Sequence, residues 1–254
     1  MSAVTLSLQT QPEHTLVADC IVPDRFAGLS GTEIGKLPVV HGGQAGRLGD
    51  FFKVRGERSS IVTLEGDVSR VEAIGAGMAG GELTIAGSAG RDVGLAMSGG
   101  RIDVRGNAGD NAGGARPGAA RGMTGGEIVI RGRVGDEAGA RMRRGLVVVT
   151  GDGGRGMGTG MIAGTVIAFG NTGPGVGRFL KRGSIVTFGK VERPGTFRYA
   201  CTYEPPHVRL LLHYLRARAG VDVADSYVTG RYARYSGDLA ELGKGEILQW
   251  VAPR

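Results

Sequence analysis

The residue types able to carry chemistry are few in this 254-residue chain, and they are scattered. His14, His41, His207 and His213 are its four histidines, and no two of them have the His-x-x-x-His spacing that turns two imidazoles to one helix face. His207 and His213 are six residues apart, hence on different faces of the helix they would share. Cys201, in Tyr199-Ala-Cys-Thr-Tyr203, is a potential nucleophile without a local base to activate it. Cys20 lies far from it, and neither cysteine belongs to a Cys-x-x-Cys pair. Structural zinc and iron–sulfur sites are therefore not expected, and a reducing, cytoplasmic compartment fits. No Gly-x-Ser-x-Gly elbow or Glu-x-x-His motif appears. Gly151-Asp-Gly-Gly-Arg-Gly156 resembles a phosphate cradle, but no helix is predicted after it.

Charge is the remaining resource. Lys and Arg number 31 against 24 Asp and Glu, and only five of the 31 are Lys. The arginines are interleaved with carboxylates and lack an aromatic row, so nucleic acid is not the expected partner. Protein interfaces or an acidic small molecule fit better. Arg105, Arg116, Arg121 and Arg131 are the electrostatic candidates for an anionic ligand. No catalytic residue and no metal ligand is assigned to the chain.

The element that must position these residues is a repeat running from about Ile61 to Lys190. It reads Gly81-Glu-Leu-Thr-Ile-Ala-Gly87, Gly100-Arg-Ile-Asp-Val-Arg-Gly106, Gly126-Glu-Ile-Val-Ile-Arg-Gly132 and Gly145-Leu-Val-Val-Val-Thr-Gly151, with weaker copies ending at Gly66, Gly170 and Gly189. Successive closing glycines are 21, 19, 26, 19, 19 and 19 residues apart. A period this short holds a strand but no helix, and each unit buries its apolar face only by stacking on neighbours. The expected fold is mainly β: a right-handed parallel β-helix solenoid of about seven coils, roughly 30 Å long at about 4.8 Å per coil.

Alternation places two columns inward: Val62, Leu83, Ile102, Ile128, Val147, Val166, Ile185, and Leu64, Ile85, Val104, Ile130, Val149, Ala168, Thr187. A third column, Met78, Met97, Met123, Met142, Met161, Leu180, reads as flexible core filler rather than a soft-metal ladder. Glycines three and seven places after the closing glycines from Gly87 to Gly170, beginning with Gly90 and Gly94, mark the corners. The long interval contains Gly114-Ala-Arg-Pro-Gly-Ala-Ala-Arg-Gly122, a loop at one corner that is either functional or a tolerated insertion.

On the outward face the repeat turns apolar toward its end: Ile167 and Val186 in one column, Phe169 and Phe188 in the next. Such a patch must be covered by the C-terminal segment or by another protein. Residues 1–60 are expected to cap the first coil, with strands near Thr5–Leu8, Leu37–Val40 and Phe51–Gly56 and a strand end turning at Pro23. Residues 191–254 carry one clear helix from Pro205 to Ala219. Its Val208, Leu211, Leu212 and Leu215 share a face suited to the apolar sheet. Tyr232, Tyr235 and Trp250 follow as candidate contact residues, with Tyr227 among them. No apolar run of about 18 residues is present, so no membrane span is expected.

The phrase Met78-Ala-Gly-Gly-Glu-Leu-Thr-Ile-Ala-Gly87, with its Gly-x-x-x-Gly corners, resembles the β-helical domain shared by the glutamate synthase C-terminal part and the C subunit of formylmethanofuran dehydrogenases. Leu48-Gly-Asp-Phe-Phe52 and Tyr232-Ala-Arg-Tyr-Ser-Gly-Asp-Leu-Ala-Glu-Leu-Gly-Lys-Gly-Glu246 resemble the ends of the stand-alone subunit. The resemblance implies a non-catalytic scaffold in one-carbon metabolism. It implies a bacterial formyltransferase/hydrolase complex of methylotrophs, which passes a formyl group from tetrahydromethanopterin to a methanofuran-type carrier and hydrolyses it to formate. The implied partners are an amidohydrolase-like, zinc-bearing A subunit, a B subunit and a formyltransferase D subunit, with zinc and carrier held by those partners. Two alternatives stand beside it: the C subunit of an archaeal tungsten or molybdenum dehydrogenase, and a free-standing β-helix enzyme acting on an acidic polymer. Against the last, the repeat has no Trp or Tyr to stack sugars and no Asp cluster.

Overall fold

A computed structural model of the chain describes residues 3–253. In chain order the strands are β1 Val4–Leu8, β2 Leu16–Val17, β3 Pro38–His41, β4 Gln44–Arg47, β5 Phe52–Arg55, β6 Ile61–Glu65, β7 Val71–Glu72 and β8 Glu82–Ile85. They continue with β9 Arg101–Val104, β10 Glu127–Ile130, β11 Leu146–Val149, β12 Thr165–Ala168, β13 Arg182–Thr187, β14 Arg198–Tyr203, β15 Arg231–Gly237 and β16 Lys244–Val251. The helices are α1 Pro23–Phe26, α2 Gly31–Gly35, α3 Pro206–Arg218 and α4 Asp225–Val228.

The protein is mainly β, organised on a twelve-stranded, mostly parallel sheet in the order β5-β1-β6-β8-β9-β10-β11-β12-β13-β16-β15-β14. One strand comes from each repeat, in register: Leu83 pairs with Ile102, then Ile128, Val147, Val166 and Ile185. Hydrogen-bonded neighbours thus stack like on like, and each alternate side chain meets its copy from the next repeat. A second ladder of single parallel bridges links Val68, Ala89, Ala108, Val134, Gly153 and Thr172, each two places after a closing glycine. The inward columns and the methionines Met78, Met97, Met123, Met142 and Met161 are buried in one continuous core.

Both flanking segments extend this sheet. β1 pairs in parallel with the first repeat strand β6 and antiparallel with β5. At the other end β16 pairs in parallel with β13, and β15 and β14 follow antiparallel. Two expectations at the N-terminus need correction. Pro23 does not end a strand. Its fixed φ suits the first position of a helix, and it starts the short helix α1. The capping box of Ser30 and Glu33 also starts a helix, α2, in a stretch where none was expected. A small sheet, β4-β3-β2-β7, completes that region.

The outward apolar column is closed by the chain itself. Val129, Val148, Ile167, Val186 and Leu248 are buried beneath Val208, Leu212 and Leu215 of α3 in a second core. Helix α3 runs across the strands. His207, in its first turn, lies 3.7 Å from Glu246 of β16, Tyr214 donates to Glu127 of β10 at 2.5 Å, and Arg101 of β9 donates to the Arg218 carbonyl at 3.1 Å. Thirteen residues rise about 20 Å, close to the five strand spacings of about 4.8 Å that they cross.

Ile167, Val186, Phe188 and Tyr232 are therefore interior residues: of the two covers the sequence allowed, the C-terminal segment is the one present, and their candidacy as contacts for another protein is corrected. Phe169 and Phe188 stack at 4.6 Å, Tyr227 lies 4.3 Å from Phe188, and Trp250 meets Tyr227 edge-on at 4.9 Å. Burial raises the Tyr232 phenol's pKa, so the hydroxyl stays protonated and donates to the Tyr227 carbonyl at 2.6 Å. The aromatic tail is the outer wall of this second core. Tyr235 is half-buried and stacks on the Arg193 guanidinium, whose carbon lies 3.7 Å from the ring centre.

Asp238 locks the turn before β16 onto the last repeat. Its buried carboxylate accepts the Phe179 and Ala240 N–H groups at 2.9 Å each. Burial works against its charge, but the neighbouring Thr196 hydroxyl and these two N–H groups outweigh it and hold the pKa below the usual 3.8. A carboxyl depressed by folding stabilises fully above its unfolded value and loses that contribution as pH falls through the lower folded value. Asp238→Asn is accordingly expected to be less stable than wild type in urea at pH 7. The gap should close on acidification below about pH 4; a gap independent of pH would show that the charge is not what holds the turn.

Candidate functional site

The corner residues four places after the closing glycines, Arg91, Asp110, Asp136, Arg155 and Pro174, stack along the repeat and floor an open groove of about 950 Å³. The insertion supplies one wall through Ala115, Arg116, Pro117 and Gly118, and Glu192–Pro194 contribute at the far end. Six arginines line it, Arg91, Arg116, Arg141, Arg155, Arg178 and Arg193, against the carboxylates Asp110, Asp136, Glu137 and Glu192.

The carboxylates of the floor are partly committed to the backbone. Asp110 Oδ1 accepts the Asp136 N–H at 2.8 Å, and Asp136 Oδ1 accepts the Arg155 N–H at 2.7 Å. Each such bond ties one repeat to the next, the side-chain equivalent of a ladder bond. Arg91 lies 3.4 Å from Asp92, Arg141 donates to the Ala119 carbonyl at 2.8 Å, and Arg193 donates to Gln249 at 2.7 Å. Arg116 and Arg155 make no ion pair among the described residues and remain as free forks. The groove is thus equipped to hold carboxylates or phosphates bidentately, and it contains no nucleophile–base pair. Among the described residues no group of three His, Cys, Asp or Glu side chains is arranged to hold a metal ion.

The chain superposes with a TM-score of 0.82 on a chain of the X-ray structure of the formyltransferase/hydrolase complex (FhcABCD) from Methylorubrum extorquens, determined with methylofuran. The two are 35% identical over 98% of this chain and 100% of that one. The C subunit of tungsten-containing formylmethanofuran dehydrogenase 2 from Methanothermobacter thermautotrophicus is 39% identical over 93 residues, 35% of this chain and 34% of that protein. The chain belongs to the C-subunit family of formylmethanofuran dehydrogenases. A molybdenum-containing member from Methanosarcina barkeri, the C subunit of its dehydrogenase 1, is 40% identical over 98 residues, 37% of this chain and 33% of that protein. The match spans about a third of the length of these two curated relatives. No family model matches.

In this C-subunit-family chain the four arginines proposed from sequence do not converge. Arg116 lines the groove; Arg121, on the same insertion, is exposed but is not among its lining residues. Arg105 and Arg131 lie instead on the outer face of the long sheet, against Asp103. Arg131 grips both Asp103 oxygens at 3.0 and 2.8 Å and donates to the Ala219 and Gly220 carbonyls at 2.6 and 2.7 Å. These carbonyls close the C-terminal end of α3, where a cation is favoured. The Asp103 contact raises the Arg131 pKa further. Arg131 is a tie between helix and sheet, which corrects its assignment to ligand binding. Arg105, half-exposed, sits 3.6 Å from the same carboxylate.

Arg91, Arg141, Arg155, Arg178 and Arg193 escaped the sequence reading, although Arg91 and Arg155 share one corner column that repeats every 19 to 26 residues. The histidines stay apart from the groove. The His14 and His41 rings lie 5.7 Å apart, and the His14 backbone N–H donates to His41 Nε2 at 3.2 Å. Cys201 is exposed on β14. Cys20 is buried, and burial first, with Asp19 adding to it, pushes its thiol up to about 12.

Proposed function

We propose that this chain is the scaffold subunit of a formyltransferase/hydrolase complex. The end-to-end match to a chain of the Methylorubrum extorquens assembly carries this reading. In it, the repeat of residues 61–190 is a right-handed β-helix of about seven coils, capped by residues 1–60 and walled by residues 191–254. The rod, roughly 30 Å long, holds an amidohydrolase-like A subunit, a B subunit and a formyltransferase D subunit at fixed separations in the cytoplasm. Those partners carry the zinc and the methanofuran-type carrier and convert formyl-tetrahydromethanopterin to formate. The chemistry belongs to them.

The archaeal type, a tungsten or molybdenum dehydrogenase, is the second reading, favoured by the two C-subunit relatives at 39% and 40% identity. Those matches cover about a third of each protein, against all of the bacterial chain. Native mass, chain identification and metal analysis of the tagged protein from its own host separate the two. The first reading expects amidohydrolase-like, B-type and formyltransferase-like partners without molybdenum or tungsten. Either metal in stoichiometric amount selects the second, and a chain purifying alone rejects both.

Within the same proposal the groove favours the acidic part of the carrier through Arg116 and Arg155. The Arg116→Gln/Arg155→Gln variant of the assembled complex should lose turnover about two- to tenfold at low salt and less at 0.5 M, because exposed charges are screened there. Turnover unchanged at every salt concentration would remove the groove from the reaction.

A further inference from the structure

The corner four and three places before the aligned Leu83, Ile102 and Ile128 is small and neutral in the early repeats: Ala79-Gly80, Ser98-Gly99 and Thr124-Gly125. In the later repeats it becomes Arg143-Arg144, Ile162-Ala163 and Lys181-Arg182. The four cations, with Ile162 and Leu242, line an open depression of about 440 Å³ to which no carboxylate contributes. Lys244 continues the series, since it pairs in register with Arg182.

These cations differ from the arginines of the outer sheet face. There Arg101, Arg105 and Arg131 meet Asp103, and Arg234 meets Glu246. Arg143, Arg144, Lys181 and Arg182 are exposed and form no ion pair among the described residues. The carboxylates of the adjoining turn do not balance them: Asp238 is buried on the Phe179 and Ala240 N–H groups, and Glu241 does not line the depression. Two coil spacings put the Arg143-Arg144 pair about 10 Å from Lys181-Arg182, near the screening length of about 8 Å at physiological salt. The cluster therefore repels itself weakly and gains nothing inside the chain. An anion from outside reverses that balance.

The apolar residues identify the kind of anion. Leu242 is 55% exposed at the depression, with Leu239 in the same turn 56% exposed. An apolar centre ringed by charge is the layout of a protein interface, whereas small molecules favour enclosed cavities. We infer that this patch docks an acidic polypeptide segment of a neighbouring chain in the complex, with an apolar side chain seated on Leu242 and Ile162. The inference rests on the scaffold reading above and adds a surface and a partner chemistry to it.

Zero-length carbodiimide cross-linking of the complex purified from its host tests it, because the reagent joins Lys181 only to a carboxylate in contact. The expected product links Lys181 to Asp or Glu of a different polypeptide, with Lys181 at least about tenfold slower to acetylate in the complex than in the isolated chain. The Arg143→Gln/Arg144→Gln/Lys181→Gln/Arg182→Gln variant alters only exposed positions and should keep its melting temperature, while its affinity for that polypeptide falls about tenfold or more. Equal acetylation in complex and free chain, with partners still bound, overturns the docking surface and leaves the scaffold reading intact. A link to a second copy of this chain overturns the acidic-partner assignment. A chain that purifies alone overturns both.

Discussion

Replacing Arg131 by methionine is expected to destabilise the protein by about 3 kcal/mol, because the change strands a buried carboxylate. Asp103 is 6% exposed and follows Thr63 and Thr84 in a column that continues with Val129, Val148, Ile167 and Val186. Its two oxygens are held by the Arg131 fork, while Arg101 and Arg105 stand farther off at 3.9 and 3.6 Å. Without Arg131 the carboxylate keeps only those longer contacts, and the Ala219 and Gly220 carbonyls at the end of α3 lose their donors. For a chain of this length the expected fall in Tm is about 10 °C. Asp103→Val/Arg131→Met separates the causes. Valine extends the apolar column, and exchanging both partners of a buried pair for packed hydrophobes is often nearly neutral. The double variant should recover at least half of the loss. If it is as unstable as Arg131→Met alone, the helix-end carbonyls, not the stranded charge, dominate.

Gly126→Ala is expected to cost about 3 kcal/mol, from two separable causes. Gly126 opens a repeat phrase at φ +89°, where an L side chain adds strain of about 1–2 kcal/mol. A Cβ there would also lie 2.7 Å from the Gly100 carbonyl oxygen and 2.8 Å from Met97 Cε, contacts that force the stacked repeats apart. Gly118, in the insertion at φ +76°, has nothing within 4 Å of the same Cβ. Gly118→Ala therefore isolates the conformational part and should cost about 1 kcal/mol. Urea denaturation of the two variants measures the difference. Equal losses would mean that packing between neighbouring repeats contributes nothing at this glycine.

Much of the architecture was legible because its causes are local and recur. An apolar residue at every second position, a closing glycine and a near-constant period fix which face of each strand is buried and which residues become neighbours. The inward columns, the methionine core and the register Leu83–Ile102–Ile128–Val147–Val166–Ile185 follow from that rule alone. Helix α3 was equally readable from its prolines and its apolar stripe. The strands of the tail were not. β16 buries Ile247 in the first core and Leu248 in the second, so the polar-out alternation that marks a half-exposed strand is lost.

The fate of the charges was decided only by the tertiary structure. Sequence placed Arg105, Arg116, Arg121 and Arg131 in one class. The fold gave Arg131 a partner across 28 residues in Asp103 and two more across 88 and 89 in Ala219 and Gly220. Arg116 instead joined arginines drawn from four other repeats in a groove. Covering of the Ile167, Phe169, Val186 and Phe188 face was likewise settled by α3 and the tail folding back over it. The physical reason is the same in each case. A periodic pattern dictates what stacks on its own copy, whereas an ion pair, a groove or a covered face depends on where distant segments come to rest.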